Sequence, residues 1–267
     1  MSRRSIIYAA VGALAATLFL VWQFATLHTH GQPLVIQLSR SPFQVLEFAP
    51  RKPPILGIVI FASGDGGWHR LEESICHGLQ KHGYKVIGID STAYAHTDYD
   101  LPTLQADYAE IARTAKESCP GRSLPLIVGG FSMGAAQAIA VAGGPKPPPG
   151  LTGLLVVEPL SRGRYGLRAA DKLNVLPTGP GTFAVADFAR TIGSSIRVLQ
   201  WHAELDKIDS SAWLSGLAVP HQECDFPGAG HCYRSDRDHF VRELVNSTDR
   251  FLASGATAGL TARSGKP

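Results

Sequence analysis

Ser132 stands in Gly130-Phe131-Ser132-Met133-Gly134, between an apolar run at 126–129 and a run of small residues at 134–142. A serine hydroxyl becomes a nucleophile when the chain exposes it and a neighbouring base takes its proton. Glycine on each flank permits a sharp strand-to-helix turn, because neither residue carries a Cβ to collide with nearby backbone. The base and its orienting acid are sought downstream. Residues 196–202 read as a strand that runs into Ala203-Glu204-Leu205-Asp206, and Asp206 is the chosen acid, with Glu204 and Asp209 as close alternatives. Pro227-Gly228-Ala229-Gly230-His231 then sets a histidine in a glycine-rich turn after a strand at 221–226. A serine, a carboxylate and a histidine in this chain order suit acyl transfer, in which the imidazole moves the proton and the carboxylate holds its tautomer.

Such a reaction develops negative charge on the substrate oxygen, and backbone N–H groups must meet it. Met133, directly after the serine, offers one. The loop Ser63-Gly64-Asp65-Gly66-Gly67-Trp68 offers the other, from Asp65 or Gly66, with Asp65 preferred. Gly64, Gly66 and Trp68 are expected to line the substrate. The same loop carries no G-K-[S/T] and no complete G-x-G-x-x-G, which argues against a phosphate cradle.

The elements that must hold these residues alternate. Strand-like runs occur at 34–38, 45–48, 55–62, 85–90, 126–129, 154–157, 196–202 and 221–226. Helical spacing appears at 68–82 (Leu71, Ile75, Leu79), 104–119, 134–142 and 239–252. Alternation of this kind predicts a mostly parallel central sheet with helices on both faces. Together with the order of the three candidate residues it predicts the α/β-hydrolase fold. Ligands of such sheets bind beyond the carboxyl ends of the strands, where all three residues fall. Residues 161–194 are rich in Gly and Arg with weak periodicity, a candidate lid or substrate wall.

Hydrophobic residues make up 45% of the 267, enough for one large core, and the net charge of +3 comes without a basic run, which excludes a dedicated nucleic-acid binder. Arg3 and Arg4 precede an uncharged apolar run at 6–22 that continues more weakly to 27. This predicts one N-terminal transmembrane helix over residues 1–28, with a cleaved signal peptide as the alternative. The positive-inside rule then places the body, 29–253, on the periplasmic side of an inner membrane. Residues 254–267 read as a disordered tail. Export permits disulfides among Cys76, Cys119, Cys224 and Cys232; the pair Cys224–Cys232 flanks one turn, and four free thiols are the alternative. His221, Cys224, His231 and Cys232 lack a zinc-site spacing, and no metal or cofactor is expected.

Ser-Gly-Asp-Gly-Gly-Trp at 63–68, Gly88-Ile89-Asp90-Ser91 followed by Tyr94, the elbow at 130–134 and the histidine turn together resemble the VirJ/AcvB bacterial virulence proteins, over roughly residues 54–252. The resemblance implies an exported α/β hydrolase that removes the aminoacyl group of lysyl-phosphatidylglycerol, and a possible secretion-system partner. The chain departs from the family pattern at Ala136, where an aspartate is usual, and at Cys232-Tyr233 after the histidine.

Overall fold

The computed structural model describes residues 31–119, 123–173, 176–208 and 211–253. The expected membrane segment, the expected tail and Asp209 lie outside them. The chain separates into residues 1–32 and residues 33–267, and the second unit carries the sheet and the site.

The strands are β1 (Gln32–Gln37), β2 (Pro42–Phe48), β3 (Gly57–Ala62), β4 (Tyr84–Ile89), β5 (Leu126–Phe131), β6 (Leu151–Val157), β7 (Arg162–Arg164), β8 (Thr182–Ala184), β9 (Arg197–Ala203) and β10 (His221–Phe226). The α-helices are α1 (Arg70–His82), α2 (Ser91–Tyr94), α3 (Leu101–Glu117), α4 (Met133–Gly143), α5 (Val185–Ala189) and α6 (Arg237–Ser247). Eight strands form one sheet in the order β1-β2-β4-β3-β5-β6-β9-β10. From β4 to β10 every pairing is parallel, while β2 meets β4 antiparallel.

The central strands β3, β4 and β5 are buried along their whole length. Their side chains still alternate between two cores, because strand residues point to opposite faces in turn. Ile58, Ile60, Ile87, Val128, Leu154 and Val198 face the layer of α3, α4 and α5. Val59, Phe61, Val86, Ile127, Leu155 and Leu199 face α1 and α6. A sheet covered on both sides calls for near-continuous apolar residues, and these strands supply them except at Lys85 of β4, which is buried and paired with Glu47 at 2.5 Å.

Helix boundaries follow local chemistry. His69 and Glu72 form a reciprocal capping box at the start of α1, and Gly83 ends it in the left-handed region (φ 114°). Asp90 accepts from Thr92 N–H and Ala93 N–H, and Asp100 from Thr103 N–H. The helix expected from 68 begins at Arg70. The one expected over 239–252 runs Arg237–Ser247 and passes into a π-turn over Thr248–Ala253.

Residues 161–194, weakly patterned in sequence, fold into the small antiparallel pair β7–β8 and α5. Their organiser is Arg164. Its Nε bonds the Asp171 carboxylate at 2.9 Å, and its terminal nitrogens donate to the carbonyls of Pro180 (2.7 Å) and Thr178 (2.6 Å). Tyr165 stacks on Phe183, which meets Phe188 edge-on, and this aromatic run seats the segment on the core.

Candidate active site

Ser132 lies between β5 and α4 with φ 52° and ψ −114°, a backbone conformation costly for a residue with a side chain. Two close approaches enforce the turn. A Cβ on Gly130 would sit 2.4 Å from the carbonyl carbon of Gly134. A Cβ on Gly134 would sit 2.4 Å from the carbonyl oxygen of Ala62 and 2.5 Å from that of Ser63. Real Cβ atoms do not approach backbone so closely, so Gly130 lets β5 fold back against the first turn of α4, and Gly134 lets α4 press against the end of β3. Ser132 N–H donates to Val157 O at 2.9 Å, and Ser132 O accepts from Ala136 N–H at 3.1 Å. Met133 is the first residue of α4, where a helix leaves its N–H groups unused by its own ladder.

Asp206 and His231 meet. Nδ1 of His231 lies 2.6 Å from Oδ2 of Asp206, and the Asp206 side chain is 1% exposed. A carboxylate only accepts, so this contact makes Nδ1 the protonated nitrogen and leaves Nε2 to accept. The His231 ring packs on Phe131, the residue before Ser132, with centroids 4.8 Å apart. Burial alone would push the Asp206 carboxyl up. Hydrogen bonds from His231, from Ile208 N–H and from the Glu158 side chain outweigh it and hold Asp206 well below the usual carboxylate range. Glu204, the alternative acid, is exposed and accepts from Gly228 N–H at 2.8 Å, which shapes the histidine turn without touching the ring.

The loop after β3 closes on itself through Gly67 N–H to Gly64 O at 3.1 Å. Gly64 is buried beside Phe131 and Ser132. Its own N–H is committed to the Glu72 carboxylate at 3.4 Å, which also accepts from His69 N–H at 3.1 Å. Asp65 follows, its carbonyl held by Thr92 Oγ1 at 3.0 Å. Gly66 and Trp68 complete the loop. Gly66 is exposed on the far side of the loop against His69. Trp68 lies over Gly88, where a Cβ would come within 2.3 Å of the indole, and stacks on Phe48, with its N–H on Glu73 at 2.7 Å. The half-buried Trp68 packs against the core at this glycine of β4 and anchors the loop.

Sequence reading missed Glu158, Tyr233 and Glu72. Glu158 follows β6, is fully buried, and has φ 50°. Its Oε1 accepts from Ala203 N–H at 2.5 Å and from the Tyr233 hydroxyl, and its Oε2 lies 3.3 Å from Nδ1 of His202. Carboxyl and imidazole atoms of Glu158, Asp206 and His231 lie within 4.8 Å of one another. The available signal was a carboxylate placed directly at the end of an apolar strand, Leu154-Leu155-Val156-Val157-Glu158. The four cysteines are free thiols, so the Cys224–Cys232 pairing is not formed.

The profile of the family described as Bacterial virulence protein (VirJ) matches residues 57–142, which hold the glycine loop and the elbow. No curated protein sequence matches the chain at a significant level. Among solved structures, a carboxyl esterase from Bacillus coagulans is similar at TM-score 0.63 and 16% identity, covering 83% of this chain and 98% of that one. Est1E from Butyrivibrio proteoclasticus is similar at 0.61 and 15%, covering 82% and 98%. An esterase domain from Rhodothermus marinus gives 0.60 and 17%, covering 83% and 99%. Identities this low carry the fold. The chain thus has the α/β-hydrolase fold, and over residues 57–142 it matches the VirJ family of bacterial virulence proteins.

Proposed function

We propose that the protein is a serine hydrolase of carboxylic esters, with Ser132 as nucleophile, His231 as base and Asp206 as acid. The observation that carries this reading is the 2.6 Å contact between His231 and the buried Asp206 side chain, with the His231 ring set against the residue that precedes a strained serine. Ser132 Oγ attacks the ester carbonyl while Nε2 of His231 takes its proton. The Met133 and Asp65 N–H groups hold the oxyanion. The imidazolium gives its proton to the departing alcohol, leaving an acyl-enzyme. Water, deprotonated by His231, then releases the acid and restores Ser132.

For the substrate, the resemblance in the glycine loop and elbow favours the aminoacyl ester of lysyl-phosphatidylglycerol. The apolar run at 6–22 favours an enzyme anchored at the periplasmic face of the inner membrane, where lipid is concentrated. Among the described residues no helix is long and apolar enough to cross a membrane; the run itself lies outside them. Small soluble esters are the second reading, favoured by the esterases among the structural neighbours. The test is fluorophosphonate labelling of the body of the protein, followed by turnover of lysyl-phosphatidylglycerol vesicles and of short acyl esters. Wild type should label and S132A should not. Unlabelled, folded wild type would favour an adaptor for a secretion machine. Labelled protein that cleaves only short esters would move the substrate to the second reading.

A further inference from the structure

The block Gly88-Ile89-Asp90-Ser91, which the hydrolase chemistry leaves unused, ends β4 and opens α2 beside the glycine loop. The two segments are laced together by three hydrogen bonds. Ser63 N–H donates to Ile89 O at 2.9 Å, Ser91 N–H to the Ser63 hydroxyl at 2.9 Å, and the Thr92 hydroxyl to Asp65 O at 3.0 Å. Asp90 Oδ1 accepts from Thr92 N–H and Ala93 N–H, so the turn that grips the loop is itself capped.

Ser63 holds the centre of this lacing. Its side chain is fully buried, and its hydroxyl has a partner of each kind: it accepts from Ser91 N–H and donates to Gly64 O at 3.2 Å. Gly64 O also accepts from Gly67 N–H at 3.1 Å. The peptide between Gly64 and Asp65 is trans, and a trans peptide is planar with its N–H opposite its C=O. Holding the Gly64 carbonyl therefore fixes the direction of Asp65 N–H, which meets the oxyanion in the proposed reaction. Gly64 itself lies against the nucleophile, where a Cβ would be 3.5 Å from the Cβ of Ser132. The Ser91 hydroxyl carries the lacing on to the nucleophile helix α4, donating to Gln137 Oε1 at 3.3 Å, and Gln137 Nε2 donates to the Tyr99 hydroxyl at 2.7 Å.

We propose that Ser63 is a positioning residue of the oxyanion site: its hydroxyl, oriented by Ser91 N–H, holds the Gly64 carbonyl and so aims the N–H of the Gly64–Asp65 peptide at the developing oxyanion. Ser63 acts through the peptide it orients and makes no contact with substrate. The inference rests on the hydrolase reading.

The experiment compares wild type, S63A and S247A in the full-length protein. It reads kcat and KM on a short acyl ester, the inhibition constant of an alkyl trifluoromethyl ketone, and Tm. Ser132 Oγ adds to the ketone carbonyl as its proton passes to His231, and the tetrahedral adduct carries an anionic oxygen that needs the oxyanion donors. Ser247 is the matched control. It too is buried, accepts from an N–H (Trp201 Nε1, 3.2 Å) and donates to a carbonyl (Glu243 O, 2.8 Å), but it ends α6, remote from the histidine turn. S63A should lose about 10–100-fold in kcat, the scale of a displaced reacting geometry, with KM within about twofold, and should bind the ketone more weakly by the same factor. S247A should lower Tm and keep kcat and ketone affinity within about twofold of wild type. Wild-type kcat in S63A overturns the proposal. So does a kcat loss in S247A equal to that in S63A, because the effect would then follow stability, and so does a kcat loss in S63A with unchanged ketone affinity. If S63A does not fold, S63C decides: a thiol donates and accepts weakly, so kcat and ketone affinity must fall together, and wild-type values in S63C overturn the proposal. Wild type that neither turns over esters nor labels with fluorophosphonate removes the hydrolase reading and this inference with it. Labelled wild type beside an unimpaired S63A removes the inference alone.

Discussion

Asp206 carries an electrostatic burden that its neighbours in sequence do not. Its side chain is buried, yet three hydrogen bonds favour its charge. D206N removes that charge and leaves an amide whose N–H₂ can face Nδ1, which sets the imidazole in the wrong tautomer. Turnover should fall by about three to four orders of magnitude, as when a triad carboxylate becomes an amide, with KM little changed. Steady-state kinetics on a short acyl ester checks it, and a loss below tenfold would remove Asp206 from the triad. Glu204 supplies the control. It bonds the Gly228 amide and not the ring, so E204Q should cost less than about threefold.

Two elements bring their own predictions. The first is the junction of β3, β5 and α4, where Gly134 lies against the carbonyls of Ala62 and Ser63. G134A forces these backbones apart and should destabilise by about 3 kcal/mol or more, since backbone has little room to yield. Thermal unfolding reads the effect, and an unchanged Tm would refute the packing argument. The second is the β7–β8 segment, pinned by the buried pair Arg164 and Asp171. D171A leaves the guanidinium buried with only carbonyl partners, a loss of about 3 kcal/mol or more if the segment and body unfold together. Limited proteolysis should then cut first within 162–184. Cleavage elsewhere would show that the aromatic stack on Phe183 suffices.

At the scale of the molecule, the site couples to stability through pH. The Asp206 carboxyl is lower in the folded chain than its unfolded value of about 3.9. Its contribution is therefore complete above about pH 4 and is lost as the pH falls towards the folded value. Glu72 works in the opposite sense. Burial pushes it up, against hydrogen bonds from Gly64 and His69 backbone, so its burial penalty is relieved when acid protonates it. Urea midpoints followed from pH 7 to pH 3 should drop more gently for D206N than for wild type, and more steeply for E72Q. Parallel curves for all three would mean that other carboxylates govern acid unfolding. The N-terminal reading is tested separately, by asking whether alkaline carbonate leaves the full chain in the membrane pellet and a chain starting at residue 31 in the supernatant.

Short-range patterning carried much of this into the open. Glycine spacing around Ser132, β-branched runs in β3 and β6, and the order serine, carboxylate, histidine are properties of neighbouring residues, and the chain alone determined the sheet-and-helix plan and the candidates Ser132, Asp206 and His231 from them. Asp206 was separated from Glu204 only by the tertiary structure, because the choice depends on which carboxylate faces a ring 25 residues away. The same holds for Glu158 and Tyr233, 75 residues apart in the chain and bonded in the core. The seat of Trp68 was likewise invisible in the sequence, because it depends on the space that Gly88 opens in the adjacent strand. Residues 161–194 gave only weak periodicity because their order comes from a buried arginine gathering carbonyls 14 and 16 residues away and from an aromatic run across the segment. Local sequence dictates backbone geometry, whereas burial and side-chain partnership are settled by contacts that sequence distance does not reveal.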